Sequence, residues 1–421
     1  MLSKILFCTV GGSHQPIVDA VKHHQPDHVV FVCSADDAMS GRKGTYQLIE
    51  GDGMVCRSEF GEPPDLPNIP TQIGLSDDSF EVVQVPADDP EAIIEVLWTR
   101  MAQAEDQART LIADYTGGTK SMSGGLLLSA IQSDGVELSV VTGPRSDHNR
   151  VVSGMQSAQK RSVERVRNRW RLDEARQAWK RRAYSEAAHL LERTGSSDSN
   201  IQLARVLSAG FAAWDRFEHV EAYSILSSVA RHVPGQIMGA MGVLKKPTPD
   251  RHMRSYGIWN LYLMSERRAD AGLYGVGVLL LYRAFEWIGQ WTLEYDHDID
   301  TGDVPAEIAE QFPNCVNEGW DGKLTMAMHS AWQVIAELGG PMADVGRATE
   351  KNRTTVARLR NKSLFAHGFE PLDEADYLQV RAFFDEEVKP AFVKAAFGKN
   401  PPYGQLPDEL TVDMGSLGAG G

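Results

Sequence analysis

Residues 4–34, KILFCTVGGSHQPIVDAVKHHQPDHVVFVCS, decide the fold of the amino-terminal part of the chain. An apolar run over 4–10 ends in a Gly-Gly-Ser turn, an amphipathic pattern begins at Gln15, and a second run rich in β-branched residues covers 28–34. Strand, glycine turn, helix and strand within about 30 residues are typical of a βαβ unit. The stretch therefore predicts two parallel strands joined by a helix.

The same alternation of strands and helices continues to residue 143. Residues 35–80 are rich in Gly, Pro, Asp and Ser and predict an irregular insertion with one short helix near 46–49. The further elements predicted in chain order are a strand at 81–85, a helix at 90–108, a strand at 110–116, a helix at 121–131 and a strand at 136–143. This order predicts a parallel, Rossmann-like sheet with helices on both faces and a ligand site beyond the carboxyl ends of the strands.

Two glycine turns are expected at that edge of the sheet. GGSH (11–14) and TGGTKS (116–121) each lie between a strand and a helix. Backbone N–H groups at a helix start, small hydroxyls and Lys120 can bind phosphate, whereas an ordinary helix-entry turn with an exposed lysine is the alternative. Neither turn has the spacing of the G-x-G-x-x-G fingerprint or of a Walker loop, so those two kinds of nucleotide site are not supported.

Composition limits the class of protein. A chain of 421 residues predicts two domains, and a net charge of -15 argues against a duplex-DNA-binding surface while leaving room for a small basic cleft. The four cysteines do not have zinc-site spacing and are expected to be thiols of a reducing cytoplasm. The longest apolar run, 276–282, is far shorter than the ~20 residues of a membrane span. We therefore expect a cytoplasmic protein without a membrane partner.

Beyond residue 151 the pattern becomes helical. Residues 155–193 predict two helices, and the ten Lys or Arg residues within 160–182 suit either a solvated connector or a wall that contacts the phosphates of single-stranded nucleic acid. Further helices are predicted at 200–231, 253–268, 271–295, 321–338, 341–366 and 373–396. The predicted domains are 1–150, a connector at 151–199, a helical domain at 200–397 and a disordered tail at 398–421.

The helical domain contains the stretch ARLRNKSLFAHGF (357–369). If it is helical, Arg360 and His367 lie on one face roughly 10 Å apart, and Gly368 takes the C-cap position. A histidine that titrates near neutral pH beside a permanent cation suits phosphodiester chemistry, whereas a surface arginine and a cap-region histidine are the alternative. The apolar helix 271–295 predicts a core or interface element, in which Arg283 and Glu286 could form an ordinary ion pair.

Three stretches together resemble a known family. They are YTGGTKSMSGG (115–125), LYRAFEWIGQ (281–290) and LRNKSLFAHGF (359–369). Their order and context are similar to those of the type III CRISPR-associated ribonucleases that join a CARF domain, a CRISPR-associated Rossmann fold, to a HEPN ribonuclease domain. The resemblance covers about 4–396, apart from the insertion at 35–80. It implies an α/β Rossmann-like CARF domain with a parallel sheet, followed by an all-α HEPN domain.

The resemblance also implies a ligand. CARF domains of such proteins dimerise and bind a cyclic oligoadenylate across the two-fold axis, here a tetra- or hexa-adenylate that acts as an allosteric activator, with no resident cofactor. The ligand-binding positions that match the family pattern are Thr9, Gly11, Ser13, His14, Gln15, Thr116, Gly117, Gly118, Thr119, Lys120 and Ser121.

HEPN domains of such proteins cleave single-stranded RNA without a metal. The matching catalytic positions are Arg360, Asn361 and His367, with Arg283 on an earlier helix. The substrate's 2′-hydroxyl would be the nucleophile, with His367 transferring protons and Arg360 stabilising the charge of the phosphorane. One Arg360–His367 pair offers few catalytic groups, so we expect a homodimer that brings two such pairs together in one groove.

The expected function is therefore a cyclic oligoadenylate-activated, metal-independent endoribonuclease of type III CRISPR antiviral defence. One alternative is a CARF sensor that degrades the cyclic ligand itself, in which Ser13, Thr119 and Lys120 would be catalytic. A second is an unrelated α/β enzyme with a nucleotide cofactor and a helical oligomerisation domain. A third is a DNA-binding regulator, for which the helical half shows no helix-turn-helix pattern.

Overall fold

The structure, a computed structural model, describes residues 2–38, 41–58, 62–133, 135–142, 157–192, 198–246 and 248–412. The chain divides into two compact units, Met1–Trp170 and Arg171–Gly421. The predicted boundary at residue 150 lies within 143–156, outside the described residues.

The first unit is built on a six-stranded sheet in its described residues. Its strands are β1 (Leu2–Thr9), β2 (His28–Ser34), β3 (Phe80–Val85), β4 (Ala108–Asp114), β5 (Val136–Thr142) and β6 (Ser157–Arg161). They lie in the order β3-β2-β1-β4-β5-β6, and all neighbouring pairs are parallel except β5 with β6. This order of the five parallel strands is that of a Rossmann-like sheet, so the fold predicted for this part of the chain is confirmed.

Helices cover both faces of the sheet because successive side chains of a strand point to opposite sides. The helices of this unit are α1 (Gln15–His24), α2 (Gln47–Glu50), α3 (Ile69–Ile73), α4 (Pro90–Glu105) and α5 (Lys120–Gln132). On β1, Phe7 belongs to an apolar cluster with Ile93 of α4 and Leu126 of α5. Its neighbour Leu6 belongs to a second cluster with Ile17 of α1.

The strand β6 was not predicted, since residues 155–193 were expected to form helices only. Its charged sequence SAQKR pairs antiparallel with β5 at the end of the sheet order. Lys160 on β6 forms an ion pair with Glu137 on β5, with 2.5 Å between Nζ and Oε2. Polar and charged residues are common on edge strands because they hinder pairing with other chains, and this explains why the hydrophobic pattern gave no signal.

The second unit is helical. A helix α6 (Glu164–Lys180) includes the point at which the two units divide. The helices that follow are α7 (Tyr184–Glu192), α8 (Ser199–Asp215), α9 (His219–Ser227), α10 (Gly235–Leu244), α11 (Arg251–Asp270), α12 (Tyr274–His297), α13 (Ala306–Gln311), α14 (Met328–Leu338), α15 (Ala343–Ala348), α16 (Glu350–Lys362), α17 (Glu374–Phe383) and α18 (Lys389–Phe397). The segment Phe384–Val388 between the last two is π-helical.

Three predicted helices differ from the expected ones, and the helix predicted over 200–231 is divided into α8 and α9. The helix predicted from 321 begins at Met328, because β7 (Asn317–Glu318) and β8 (Leu324–Thr325) form a small hairpin before it. The helix predicted over 341–366 is divided into α15 and α16 and ends at Lys362. Among the described residues, no helix combines the length and hydropathy that crossing a lipid bilayer requires.

The apolar helix α12 lies in the core of the second unit. Its buried side chains include Val278, Leu281, Phe285 and Ile288, which belong to one large cluster of buried residues. Phe285 stacks on Trp332 of α14 with 4.6 Å between the ring centroids. The prediction that this helix belongs to a core is therefore confirmed.

The carboxyl-terminal segment 398–412 packs onto the helical unit, so the disorder predicted for it is wrong. Tyr403 and Leu406 are buried there. The Tyr403 carbonyl accepts a hydrogen bond from Trp259 Nε1 at 2.8 Å, and the Leu406 carbonyl accepts one from Arg182 Nε at 3.0 Å. Apolar side chains within a Pro/Gly-rich sequence find partners far away in the chain, which composition does not reveal. Residues 413–421 lie outside the described residues.

A buried histidine makes the stability of the second unit dependent on pH. Burial lowers the pKa of His219 to about 4. The unfolded chain therefore binds more protons between pH 4 and 6.5, and we expect this histidine to remove about 2 kcal/mol of stability from pH 7 to pH 5. Denaturant unfolding followed by tryptophan fluorescence measures the loss, which should shrink by that amount in His219→Gln. An equal loss in the variant would contradict the prediction.

Candidate functional sites

The two predicted glycine turns lie against each other at the carboxyl ends of β1 and β4. These strands are parallel neighbours, with Cys8 opposite Asp114. The Thr9 hydroxyl donates a hydrogen bond of 2.8 Å to the Gly117 carbonyl. A Cβ atom at Gly117 would lie 2.2 Å from the Thr9 carbonyl oxygen, and one at Gly11 would lie 2.8 Å from the Gly118 nitrogen. Glycine is needed because the two backbones approach so closely.

Three buried polar side chains that sequence reasoning missed support the second turn. Asp114 accepts hydrogen bonds from the Thr116 N–H at 3.1 Å and from the Ser139 hydroxyl at 2.8 Å. His24 Nε2 lies 2.8 Å from the same hydroxyl, and since that hydroxyl donates to Asp114, His24 is the donor. Burial raises the pKa of Asp114 and lowers that of His24 to about 4. The one feature of the sequence that could have indicated this network is Asp114, a charged residue at the end of an apolar strand.

The second turn leads directly into α5. Thr119 caps this helix by accepting a hydrogen bond from the Met122 N–H at 3.2 Å, and its hydroxyl also bonds to the Ala87 carbonyl. Gly118, just before it, has a φ of +82°, a conformation that suits glycine. Lys120, the first residue of the helix, is exposed, and Ser121 is half-buried. A helix start with an exposed lysine attracts anions.

The first glycine turn is exposed at Ser13 and becomes buried at His14, where α1 begins. Ser13 is exposed, whereas His14 is buried at the N-cap of α1. His14 is near the Arg57 backbone and Asp65, both of which favour the charged imidazole, although burial outweighs both and lowers its pKa. Residues of the insertion at 35–80 therefore pack beside the first turn, which sequence reasoning missed. Gln15 donates a hydrogen bond of 2.9 Å to Asp19.

The prediction that Arg360 and His367 share one helix is wrong. The helix α16 ends at Lys362, and His367 lies in a turn. Ser363 adopts an extended conformation, and its carbonyl accepts hydrogen bonds from the N–H groups of Ala366 at 3.0 Å and Gly368 at 3.2 Å. These two bonds close the turn that carries His367.

The segment 362–370, which we name the His367 loop, is held at both ends. The Lys362 carbonyl accepts a hydrogen bond from the Glu370 N–H at 3.2 Å, and the Glu370 carbonyl accepts one from the Leu364 N–H at 3.0 Å. The Lys362 ammonium also forms an ion pair of 2.8 Å with the Glu370 carboxylate. His367 is exposed within this closed loop. An exposed imidazole on a well-tied loop can reach a substrate without large rearrangement.

Gly368 has a different role from the predicted C-cap. A Cβ atom there would lie 2.0 Å from the Lys362 carbonyl oxygen, so the glycine allows the loop to return over the end of α16. We expect Gly368→Ala to displace His367 and to lower any phosphodiester cleavage that depends on His367 by roughly 100-fold, since about 1 Å of misplacement can cost that much. Gly239→Ala, on an exposed helical glycine with nothing within 4 Å, is the matched control. Equal cleavage rates for the two variants would contradict this role.

Arg360 lies in the last turn of α16, two residues before the His367 loop, and contacts α12. Its guanidinium donates a hydrogen bond of 2.8 Å to the Asn361 side chain and lies 4.9 Å from the ring centroid of Tyr282. Arg283 instead bonds to Glu286 and lies 4.9 Å from the ring centroid of Trp287. The structure therefore contains the ordinary ion pair considered for Arg283, whereas Arg360 and Asn361 form a pair beside the loop.

The His367 loop carries exposed apolar side chains. Leu364 is 58% exposed, Phe365 60% and Phe369 90%. A Cβ atom at Gly275 would lie 3.2 Å from the Phe365 ring, so the loop reaches the first turn of α12. Leu273, just before that helix, is also exposed. Neighbouring apolar side chains on a surface are typical of an interaction site.

No group of three or more His, Cys, Asp or Glu side chains that could hold a metal ion occurs among the described ranges from 2 to 412. The adjacent acidic residues near the end of α12 have other contacts. Asp296 forms an ion pair of 2.8 Å with Arg251.

The chain combines a Rossmann-like domain with a helical domain that carries an Arg-Asn pair and the His367 loop. Residues 249–389 match the family model described as the Csm6 HEPN domain. The structure of Enterococcus italicus Csm6 bound to cyclic hexa-2′-fluoro-hexa-dAMP has the same fold, with a TM-score of 0.59, 13% sequence identity and 94% of each chain covered. A comparison with curated proteins finds no match. Residues 249–389 are therefore similar to a Csm6-type HEPN domain, and the chain as a whole has the fold of the Enterococcus protein.

Proposed function

We propose that this protein is an endoribonuclease that cleaves single-stranded RNA in type III CRISPR defence and is activated by a cyclic oligoadenylate. The observation that carries the proposal is the exposed His367 on its closed loop, which begins two residues after Arg360, within the part of the chain that matches a HEPN domain. The Enterococcus protein was bound to a cyclic hexa-adenylate analogue, so hexa-adenylate is the first ligand to test and tetra-adenylate the second.

The ligand would bind at the two glycine turns. Their close approach leaves backbone N–H groups and small side chains at the edge of the sheet, with the Lys120 charge at the start of α5. The phosphates of a cyclic oligoadenylate are anions that such a helix start attracts. To activate, the ligand must bind the active state more tightly than the resting state.

Cleavage would use the 2′-hydroxyl of the substrate as nucleophile. His367 would move a proton to or from a reacting oxygen, which is general acid–base catalysis. The Arg360 guanidinium would stabilise the extra negative charge of the phosphorane, and Asn361, already bonded to it, would orient the guanidinium or the scissile phosphate. None of these roles requires a bound metal.

The active form would be a homodimer. Leu364, Phe365 and Phe369 are exposed beside His367, and covering them with the same surface of a second copy would bring two catalytic loops together. Light scattering coupled to an activity assay tests this, because a fully active monomer would contradict it.

Degradation of the cyclic ligand by the first unit is the alternative function. The Thr119 hydroxyl is occupied by the Met122 N–H and the Ala87 carbonyl, which disfavours it as a nucleophile. Analysis of cyclic oligoadenylate after incubation with the protein would reveal linear products if this alternative holds.

The reaction type is tested with an RNA that contains one 2′-deoxy nucleotide at a cleaved position. We expect cleavage at that position to be lost while other positions are cut as before. The products from normal RNA should end in 2′,3′-cyclic phosphates. Cleavage at the deoxy position would contradict attack by the 2′-hydroxyl.

A further inference from the structure

The helical unit contains a cavity of about 400 Å³ that the proposed reaction does not use. Its walls are mainly apolar and include the aromatic side chains of Phe217, Trp287 and Trp291. Volumes of this size are common for small-molecule sites, and aromatic walls suit flat rings. The walls come from α11, α12, the end of α10, the first residue of α9 and the segments that lead into α9 and α11.

One buried polar side chain in the cavity wall has an unused donor. His219 is only 8% exposed. Trp214 Nε1 donates to Asn260 Oδ1 at 2.9 Å, so the Asn260 amide nitrogen must be the group 3.0 Å from His219 Nε2. That nitrogen donates, and the neutral imidazole therefore carries its hydrogen on Nδ1. Within the described part of the chain, His219 Nδ1 has no hydrogen-bond partner.

A second polar group in the wall is also available. The Gln290 amide, which can both donate and accept, has no hydrogen-bond partner within the described part of the chain. Arg254 lines the same cavity and is paired with Glu294. Flat aromatic walls with one fixed donor and one adaptable amide match the faces and edges of a nucleobase.

The helix α12 contributes residues both to the cavity and to the candidate nuclease site. Tyr282, Glu286 and Gln290 are spaced four residues apart and share one face of this helix. Tyr282 lies under Arg360, and Trp287, which lies under Arg283, is itself part of the cavity wall. Tyr282 and Gln290 are about 12 Å apart along the axis, a distance that one or two nucleotides span.

We propose that this cavity binds one unstacked nucleobase of the RNA substrate, close to the scissile phosphate, and so gives the nuclease a base preference. The base would stack on an indole ring, as bases of single-stranded RNA do in other proteins, and its edge would meet His219 Nδ1–H and the Gln290 amide. This inference rests on the proposed ribonuclease function.

The test uses four RNAs that differ only in the base one or two positions from a single cleaved bond. Wild-type protein with activator should prefer one base by at least about 10-fold in kcat/KM. Gln290→Ala should reduce that preference to less than about 3-fold by slowing cleavage of the preferred RNA alone. Gln333→Ala, an exposed glutamine on α14, is the matched control and should behave as wild type. The inference would be overturned if the wild type showed no base preference, or if its preference were unchanged in Gln290→Ala. Either result would leave the ribonuclease function intact.

A binding measurement separates this inference from failure of the catalytic proposal. The full-length His367→Ala protein should bind the four RNAs with the same order of affinity, and adding Gln290→Ala should abolish the order. If the wild type cleaves no RNA, the proposed function fails, and the binding order then tests the cavity by itself. Equal affinities for all four RNAs would overturn the base-binding cavity.

Discussion

Replacing His367 by alanine is expected to lower RNA cleavage by at least about 100-fold, the usual contribution of a general acid or base. The side chain is exposed on the His367 loop, and the hydrogen bonds that close the loop come from backbone groups, so the fold should be unaffected. Single-turnover cleavage of a fluorescent RNA by activated protein measures the effect. Binding of cyclic oligoadenylate should remain as in the wild type.

His329→Ala provides the control for that substitution. His329 is an exposed histidine on α14 in the same helical unit. Its removal should leave cleavage within about two-fold of the wild type, as is usual for a surface group outside an active site. A similar loss in both variants, or full activity of His367→Ala, would remove His367 from the reaction.

Gly117→Ala is expected to abolish the response to the activator while basal cleavage persists. The added Cβ would lie 2.2 Å from the Thr9 carbonyl oxygen, so the two glycine turns must separate and the Thr9–Gly117 hydrogen bond is lost. Isothermal titration should show at least a 10-fold weaker affinity for the cyclic ligand, equivalent to about 1.4 kcal/mol. A thermal unfolding curve checks that the first unit stays folded.

Gly124→Ala is the matched control for the glycine turn. Gly124 lies on the exposed side of α5, seven residues further on, with nothing within 4 Å of an added Cβ. Alanine is the better helix former there by about 0.5–1 kcal/mol, so ligand binding should be unchanged and stability slightly higher. Normal activation of Gly117→Ala would mean that the ligand binds elsewhere.

The parallel sheet could be predicted because its inner strands β1 and β2 are buried and form continuous apolar runs. The runs at 4–10 and 28–34 coincide with β1 and β2, and the glycine turns coincide with loops that meet at one edge. The strand β6 gave no such signal, since an edge strand needs only one partner and can be charged. Pairing with β5 decides its structure, and no local pattern encodes that pairing.

The residues of the candidate nuclease site remain a prediction, whereas the geometry of the stretch that carries them differs from the predicted one. The helix predicted over 341–366 includes most of the stretch 357–369, yet the chain leaves the helix at Ser363. Bonds to the Ser363 carbonyl, the close approach of Gly368 to Lys362 and the contact of Phe365 near Gly275 decide the turn. The last of these links residues 90 positions apart, which helix propensity cannot anticipate.

Buried polar contacts were the least predictable feature. The network of His24, Ser139 and Asp114 joins residues up to 115 positions apart. A polar side chain in a sequence looks the same whether it is exposed or paired inside the fold, and only the topology brings its partner close. The position of His14 near the Arg57 backbone was missed for the same reason.

The most direct test of the account is the cleavage of a fluorescent single-stranded RNA in EDTA, with and without cyclic tetra- or hexa-adenylate. We expect one ring size to switch on cleavage in EDTA, and the products should not form with His367→Ala. If neither ring has an effect and EDTA removes all cleavage, a cyclic oligoadenylate-activated, metal-independent ribonuclease is contradicted.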